Sequence, residues 1–357
     1  MSSHLHIVAI SARTPLGLNA KASAAAVRAG IDGIIEHPFM TNNAGDPIPA
    51  IIDREINPAL FGAERLSALA IPAIDALCAE LAQLEKSFDK VPLLIGLPEF
   101  RPGWNAKCLA VFKRAIQNQN VGFDWQDTIE LFPNGHAAGI IALKRAQDII
   151  LSGRSKLCIV GGVDSYFDPD TIDWLDENRR IIGENRRSAF IPGEGAGFLA
   201  VVGQELAFRF RNQSPAQIRA IGLAKEDKLI NTDTICLGEG LTTAVRDALA
   251  PLSMPRDMID VVYCDVNGER YRSEEWAFTV LKNPHTFKDP AGHELVSTYL
   301  GDVSAASAPL FIMLAMRSGQ RGYAKGQRHL VWSSSNTGER SAVVFDIGSN
   351  VEQGAAL

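Results

Sequence analysis

Apolar residues along the chain fall into two patterns. Short continuous runs are typical of buried strands, and longer stretches with three- and four-residue spacing are typical of helices. The run 5–10 predicts a first buried strand, and Asn19 is placed to cap a helix that extends to about Arg28. A later helix is predicted over 136–151, where four apolar residues share one face: Ile140, Leu143, Ala146 and Ile150.

The remaining elements continue the same alternation. Strands are predicted at 91–97, 157–160, 193–202, 216–223 and 258–264, helices at 66–84, 241–249 and 304–317, and a closing hairpin at 329–333 and 341–347. Strands that alternate with helices favour an α/β fold with a mainly parallel sheet. The alternation restarts after residue 203, which predicts two similar halves, 1–203 and 204–357.

Size and charge narrow the function classes. A chain of 357 residues can bury a large core, and its net charge of −6 is only mildly acidic. The densest basic group, at 179–187, is offset by neighbouring acidic residues, so nucleic-acid binding is not expected. With no apolar run of 18 residues and no N-terminal signal, we expect a cytoplasmic protein without a membrane span.

Cysteine usage agrees with a reducing compartment. The five cysteines are scattered, their number is odd and none forms a CxxC pair. We therefore expect free thiols, with neither a metal nor a cofactor bound.

Three segments carry a more specific signal. Thr14–Gly17 is followed by a predicted helix and by RAGIDGI at 28–34. The segment 136–162 combines HAAG, a helix, SGR, a strand and a Gly-Gly pair, and 191–198 reads IPGEGAGF. In order and spacing, these segments resemble the β-ketoacyl synthases, the condensing enzymes of fatty-acid and polyketide synthesis. Looser matches follow at 259–263, 301–307 and 333–345.

The resemblance implies a thiolase-like α/β fold. Each half would follow the pattern βαβαβαββ, and two stacked five-stranded halves would form an α-β-α-β-α core. It also implies a dimer, in most relatives a homodimer.

The resemblance also implies where a condensing enzyme would keep its reacting groups. Such an enzyme uses a cysteine at a helix N-terminus, two histidines (or a histidine and an asparagine), a lysine and a gating phenylalanine. The matching positions here are His136 for the cysteine, Asp265 or Asn267 for the first histidine, Ser297 for the lysine, Asp302 for the second histidine and Asn336 for the phenylalanine, with Gly338 central to the last motif. We therefore do not expect cysteine-based condensation.

Three hypotheses remain for the substituted positions. His136 could be a general base or nucleophile oriented by Asp265 or Asp302. The three side chains could instead form a weak metal site. They could also only satisfy one another in a closed pocket.

The segment 265–276 is unusually polar for one that follows a buried strand, and in the family it borders the mouth of the active site. Its charged residues beyond Asp265 are Glu269, Arg270, Arg272, Glu274 and Glu275. The two arginines could bind a carboxylate or phosphate, and Tyr271 and Trp276 could anchor a partner. The alternative is a solvated loop with internal ion pairs.

The sequence therefore favours a non-condensing accessory or adaptor protein, or a cysteine-less partner of an active ketosynthase. The alternative is a diverged acyltransferase that acts through His136 on acyl-carrier-protein or CoA thioesters. Expected partners are a second copy of the chain, an active ketosynthase or an acyl carrier protein. Two structural observations bear on this choice: whether a tunnel reaches His136, and whether His136 and Asp302 lie together.

Overall fold

The computed structural model describes residues 4–84, 91–119, 128–184, 186–213 and 215–348. The strands are β1 Leu5–Arg13, β2 Ile35–Thr41, β3 Pro47–Ala50, β4 Leu93–Gly96, β5 Ile129–Phe132, β6 Leu157–Ser165, β7 Glu194–Gly203, β8 Ala216–Lys225, β9 Val261–Cys264, β10 Arg328–Ser334 and β11 Glu339–Asp346. The helices are α1 Ala20–Arg28, α2 Gly62–Leu84, α3 Ala106–Gln117, α4 Ala138–Leu151, α5 Pro169–Glu177, α6 Gln204–Ala207, α7 Glu239–Leu249, α8 Arg270–Leu281, α9 Ser297–Leu300 and α10 Ser307–Gln320.

Within the described ranges, the large strands join into one sheet in the order β5-β4-β6-β7-β1-β8-β11-β10-β9. Five of these strands precede residue 204 and four follow it. The two groups meet where β1 pairs with β8 through the short ladder from Leu5 to Ile7. β2 and β3 form a separate hairpin. This arrangement agrees with a repeat of one folding unit, and the predicted boundary at 203/204 stays a prediction.

Strand alternation divides the first group of strands between two cores. On β6, Cys158 and Val160 face a central core, while Leu157 and Ile159 face an outer core that contains α2 and α3. Both faces of β6 are covered, so the strand is buried along its whole length. This explains why its sequence begins with a continuous apolar run.

The second group of strands repeats the division. Val331 and Val343 face the central core, and Leu330 and Val344 face an outer core that contains α7 and α8. Helices α4 and α10 fill the central core between the two groups. The layers therefore run α-β-α-β-α, which confirms the predicted fold class.

The two central helices pack at close range. Gly139 on α4 has no room for a side chain, because a Cβ there would lie 2.7 Å from the ring of Pro309 on α10. Each helix is preceded by a short 3₁₀ turn, at Gly135–Ala137 and Ser304–Ala306. The two helix starts therefore face each other in the interior, and this is where His136 and Asp302 lie.

The second half departs from the expected five strands. Beside β9, the segment after α8 makes only isolated bridges, from Phe287 to Ile259 and from Glu294 to Tyr263. The intervening Pro290 and Gly292 interrupt a continuous ladder. The position of the fifth strand is thus occupied by a loop.

One local expectation also needs correction. The Gly161–Gly162 pair does not close β6, which continues to Ser165. The strand predicted at 193–202 is β7, which begins at Glu194, and its glycines admit α10 at close range. A Cβ on Gly197 would lie 3.1 Å from the backbone nitrogen of Leu310.

One described helix, α2, is long and apolar enough to cross a membrane by length and composition. Half of its most apolar window is buried within the protein, and Leu69, Ile74 and Leu77 lie in the outer core beside β1 and β7. Its apolar character is therefore that of a core helix.

Candidate functional site

His136 sits in the 3₁₀ turn immediately before α4, and only 1% of its surface is exposed. Gly135 supplies the left-handed backbone (φ +60°) that this turn requires, and a side chain there would collide with Glu99. The next residue is fixed as well, because Ala137 N donates to Ser335 Oγ at 2.9 Å. The backbone on both sides of His136 is therefore fixed, which limits the positions that the imidazole can adopt.

Asp302 faces His136 from the other helix start. His136 Nε2 lies 2.9 Å from Oδ1 and 3.0 Å from Oδ2 of Asp302. Asp302 also accepts hydrogen bonds from the Tyr166 hydroxyl (3.1 Å), the Ser304 amide (2.8 Å) and Asn267 Nδ2 (2.5 Å). Burial alone would raise the pKa of Asp302, but His136 and the other donors outweigh it and hold that pKa well below its usual range.

Arg272 occupies the other side of the imidazole. Its Nη2 lies 3.3 Å from His136 Nε2 and 3.4 Å from His136 Nδ1, so it is close to both ring nitrogens. Its Nη1 donates to Asp265 Oδ2 at 2.9 Å and to the Ser334 carbonyl at 2.7 Å. The guanidinium is therefore committed to groups inside the protein, and 1% of Arg272 is exposed.

Asp265 and Glu269 are the carboxylates that flank Arg272. Asp265 Oδ2 also accepts from the Ser334 amide, while its Oδ1 is buried without a hydrogen-bond partner among the described residues. Burial raises the pKa of Asp265 despite the nearby Arg272. Glu269 receives a bidentate pair from Arg180 at 2.7 and 2.9 Å, which outweighs burial and lowers its pKa.

Asn267 joins the two parts of this network. Its Nδ2 lies 2.5 Å from Asp302 and 3.2 Å from Glu269, and its Oδ1 accepts the Glu269 amide at 3.0 Å. Of the two positions considered for the family's first histidine, Asn267 therefore contacts Asp302 directly. Asp265 is linked to His136 only through Arg272.

Asn336 lies at the outer edge of the same region. Its amide nitrogen donates to Glu99 Oε1 at 2.7 Å, and its side-chain oxygen accepts from Arg180 at 3.2 Å. Glu99 also lies against Gly135, next to His136. A carboxylate of the protein therefore occupies the space between the β10–β11 turn and the start of α4.

Three predicted positions lie apart from the buried network. Ser297 donates to the Val266 carbonyl at 2.8 Å and lines a separate cavity with Asn267. Gly338 (φ +107°) forms the β10–β11 turn, where a Cβ would meet the Glu226 carbonyl. Arg270 is exposed and pairs with Glu274 one helical turn away.

The interpretation of 265–276 as a solvated loop is wrong. The segment turns into α8 at Arg270, and Arg272, Glu275 and Trp276 point into the protein. Trp276 stacks on Trp332 with ring centroids 5.2 Å apart, so it is not available to anchor a partner. The polar composition of 265–276 suggested exposure to solvent. Charged residues are usually exposed, but α8 buries several of them.

Several residues of the network had no sequence signal beyond residue type: Glu99, Tyr166, Arg180, Ser334 and Ser335. Arg180 belongs to the basic group at 179–187, and its offsetting acid proves to be Glu269, 89 positions later. Only the fold brings such partners together.

A cavity of about 310 Å³ opens next to the network. Its lining includes Tyr166 and Ser304, which both donate to Asp302, and Arg180, but not His136. The imidazole is thus separated from this cavity by groups that donate to its partner Asp302.

Metal and thiol chemistry find little support at His136. Among the described residues, the ligand atoms that converge within 4.8 Å belong to Glu226, Cys236 and Glu275, away from His136, and Arg340 already pairs with Glu275.

Burial raises the pKa of Cys158 to about 12 and also raises that of Cys264. Neither thiol is therefore an activated nucleophile.

The Tyr166 hydroxyl gives a first test of the network. We expect Tyr166→Phe to lower the free energy of unfolding by about 1–2 kcal/mol, since a charged acceptor loses one buried donor. Chemical denaturation at pH 7 measures the change. Tyr299→Phe is the matched control, because no hydrogen bond of that hydroxyl is found among the described residues. Equal, near-zero changes in both variants would contradict the assigned bond.

Comparisons with known proteins bear on the fold. A type II polyketide ketosynthase, solved with its acyl-carrier protein, superposes with a TM-score of 0.77 at 14% identity, over 96% of this chain and 98% of that one. The ishigamide ketosynthase/chain length factor gives a TM-score of 0.76 at 16% identity, over 97% and 99%.

In sequence, the similarity is more limited. The fatty acid synthase subunit alpha of Lachancea kluyveri is 24% identical over 165 residues, which span 41% of this chain but only 9% of that protein. No family model matches the chain. Together with the layered α/β architecture, these comparisons show that the chain has the thiolase-like fold of the ketosynthases.

Proposed function

We propose that this protein is a non-condensing member of the ketosynthase fold, which acts as an accessory subunit or adaptor. The observation that carries the proposal is the state of His136. Nε2 is hydrogen-bonded to Asp302, and Arg272 Nη2 lies 3.3 Å from Nε2 and 3.4 Å from Nδ1, so a cationic donor covers the ring. A nucleophile or general base needs a free lone pair directed at the substrate.

Burial supports the same conclusion. His136 and Asp302 are 1% and 4% exposed, and the neighbouring cavity of about 310 Å³ is separated from the imidazole by Tyr166 and Ser304. A thioester arm would have to displace these groups and the ion pairs behind them. Loss of the buried partners would leave Asp302 uncompensated, which is costly.

The proposed partners follow from the fold neighbours. One neighbour is a ketosynthase in complex with an acyl-carrier protein, and another is described as a ketosynthase/chain length factor. By analogy, we propose that this chain pairs with a second copy of itself or with an active ketosynthase, and that it meets an acyl-carrier protein through that assembly. Native mass spectrometry of the purified chain alone and with such a ketosynthase distinguishes the two assemblies.

Incubation with a panel of acyl-CoA and acyl-carrier thioesters, followed by intact-mass analysis, tests the absence of chemistry. We expect no covalent adduct on the wild-type protein and no thioester hydrolysis above background. A ketosynthase with an intact cysteine serves as the positive control. Cys108→Ala removes the half-buried thiol that is most open to stray acylation.

The alternative activity predicts a different pattern. Adduct formation or turnover that His136→Ala abolishes, while Cys108→Ala does not, would establish acyl transfer through His136 and overturn the accessory role. Circular dichroism of His136→Ala shows whether a loss of turnover reflects loss of the fold.

A further inference from the structure

A basic cavity lies far along α10 from the buried network, between the length of α1 and the C-terminal end of α10. Its volume is about 490 Å³. Four cationic side chains line it. Lys21 and Arg28 belong to α1, Arg317 lies near the end of α10, and Arg321 follows that helix. Tyr323 completes the wall, and Arg28 lies over its ring at 4.1 Å from the centroid.

The spacing of the four cationic residues along their helices places their side chains on the sides that face the cavity. Lys21 and Arg28 are two turns apart on α1, and Arg317 and Arg321 are one turn apart. Between them the floor is made of short side chains from α1, namely Ala24, Ala25 and Ala29. A bound group can therefore approach the backbone of α1 without contact with a large side chain.

The positive charge at this cavity is not neutralised by ion pairing. Within the described residues, none of the four cations has a carboxylate within 4 Å, although Glu80 on α2 is close enough to influence Lys21 and Arg317. Arg317 Nη1 donates to Gln320 at 2.7 Å, while its Nε is buried without a hydrogen-bond partner. Burial and the adjacent Arg321 lower the pKa of Arg317, as expected where like charges are brought together.

Helix-end electrostatics account for only part of this cluster. Cations are favoured in the last turn of a helix, where Arg28 and Arg317 lie. Lys21 lies in the first turn of α1, where the helix dipole disfavours a cation. Helix-end electrostatics therefore do not explain why Lys21 lies in the same cavity as the arginines.

We propose that this cavity binds a small phosphorylated molecule that carries at least two negative charges. Guanidinium groups match phosphate oxygens in bidentate pairs, and the Lys21 ammonium adds a point charge on the opposite side. The volume is in the range of small-molecule sites. This inference is independent of the accessory role, because none of these residues contacts the His136 network.

Isothermal titration calorimetry of the full chain with inorganic pyrophosphate tests the proposal. We expect saturable binding by the wild type and about tenfold or greater weakening in Arg317→Gln/Arg321→Gln, because two charge-assisted contacts are lost. Arg256→Gln is the matched control, since this exposed arginine pairs only with the adjacent Asp257 and should leave binding unchanged.

Two results would overturn the proposal. One is the absence of pyrophosphate binding by the wild type, or binding that both sets of variants reduce equally. The other is stronger binding of an oligoglutamate peptide than of pyrophosphate, lost in Arg317→Gln/Arg321→Gln, which would mean a docking surface for an acidic protein segment. Thermal unfolding of each variant shows that lost binding is not lost folding, and Lys21→Met provides a second variant at an exposed position.

Discussion

Arg272→Met is expected to lower the free energy of unfolding by about 3–5 kcal/mol, the usual cost of breaking a buried ion pair by removing one partner. The guanidinium contacts Asp265, Glu269 and His136, and 1% of Arg272 is exposed. Methionine fills similar space but leaves buried carboxylates without their cation. Urea denaturation at pH 7, followed by tryptophan fluorescence, measures the loss.

The same helix offers a matched control. Arg270 also forms an ion pair, with Glu274, but its side chain is 80% exposed. Arg270→Met should therefore change stability by no more than about 0.5 kcal/mol. If Arg272→Met were equally mild, Arg272 would not be the cation that holds this network together, and its contact with the His136 ring would lose its support.

Much of the fold could be predicted from local pattern. Asn19 does cap α1, where its side chain accepts the Ala22 amide, and the predicted closing hairpin is the β10–β11 pair. Runs such as 157–160 belong to strands buried on both faces, so their apolar character identifies them directly. The layered architecture was expected only from the resemblance, because layer order depends on contacts between distant segments.

The candidate site was predicted in part. His136, Asn267 and Asp302 do converge, and the positions came from motif alignment rather than from their own chemistry. Arg272 was considered for a ligand or partner, whereas it serves His136 and Asp265. No local rule identifies a charged helix face as buried, since its burial depends on partners such as Arg180 and Ser334 elsewhere in the chain.

The polar residues around His136 depend on one another and are therefore described as a network. The imidazole of His136 places two polar ring atoms in the interior. Each needs a partner, and Asp302 and Arg272 supply them. Arg272 in turn needs carboxylates, which Asp265 and Glu269 provide. A His136→Cys substitution would therefore leave those charges in place.

The outer half of the network gives a pH-dependent prediction that avoids the titration of His136. Glu269 is held by Arg180 and Arg272, both always protonated, and its native pKa is lowered. The unfolded chain therefore takes up a proton near pH 4.3 that the native protein does not. The stability that Glu269 contributes is complete above about pH 5 and is lost as the pH falls through its lowered native pKa.

Glu269→Gln removes this contribution. We expect it to cost about 3 kcal/mol at pH 7, and the difference in stability between wild type and variant should narrow steadily as the pH falls below about 5. Urea denaturation at pH 7, 5, 4 and 3.5 measures the gap. Glu274→Gln, which breaks the exposed pair with Arg270, should show almost no gap at any pH. A Glu269→Gln gap that stayed constant, or grew with acid, would mean that Glu269 is not held ionised by its arginines, and that the network is fixed by packing rather than by charge.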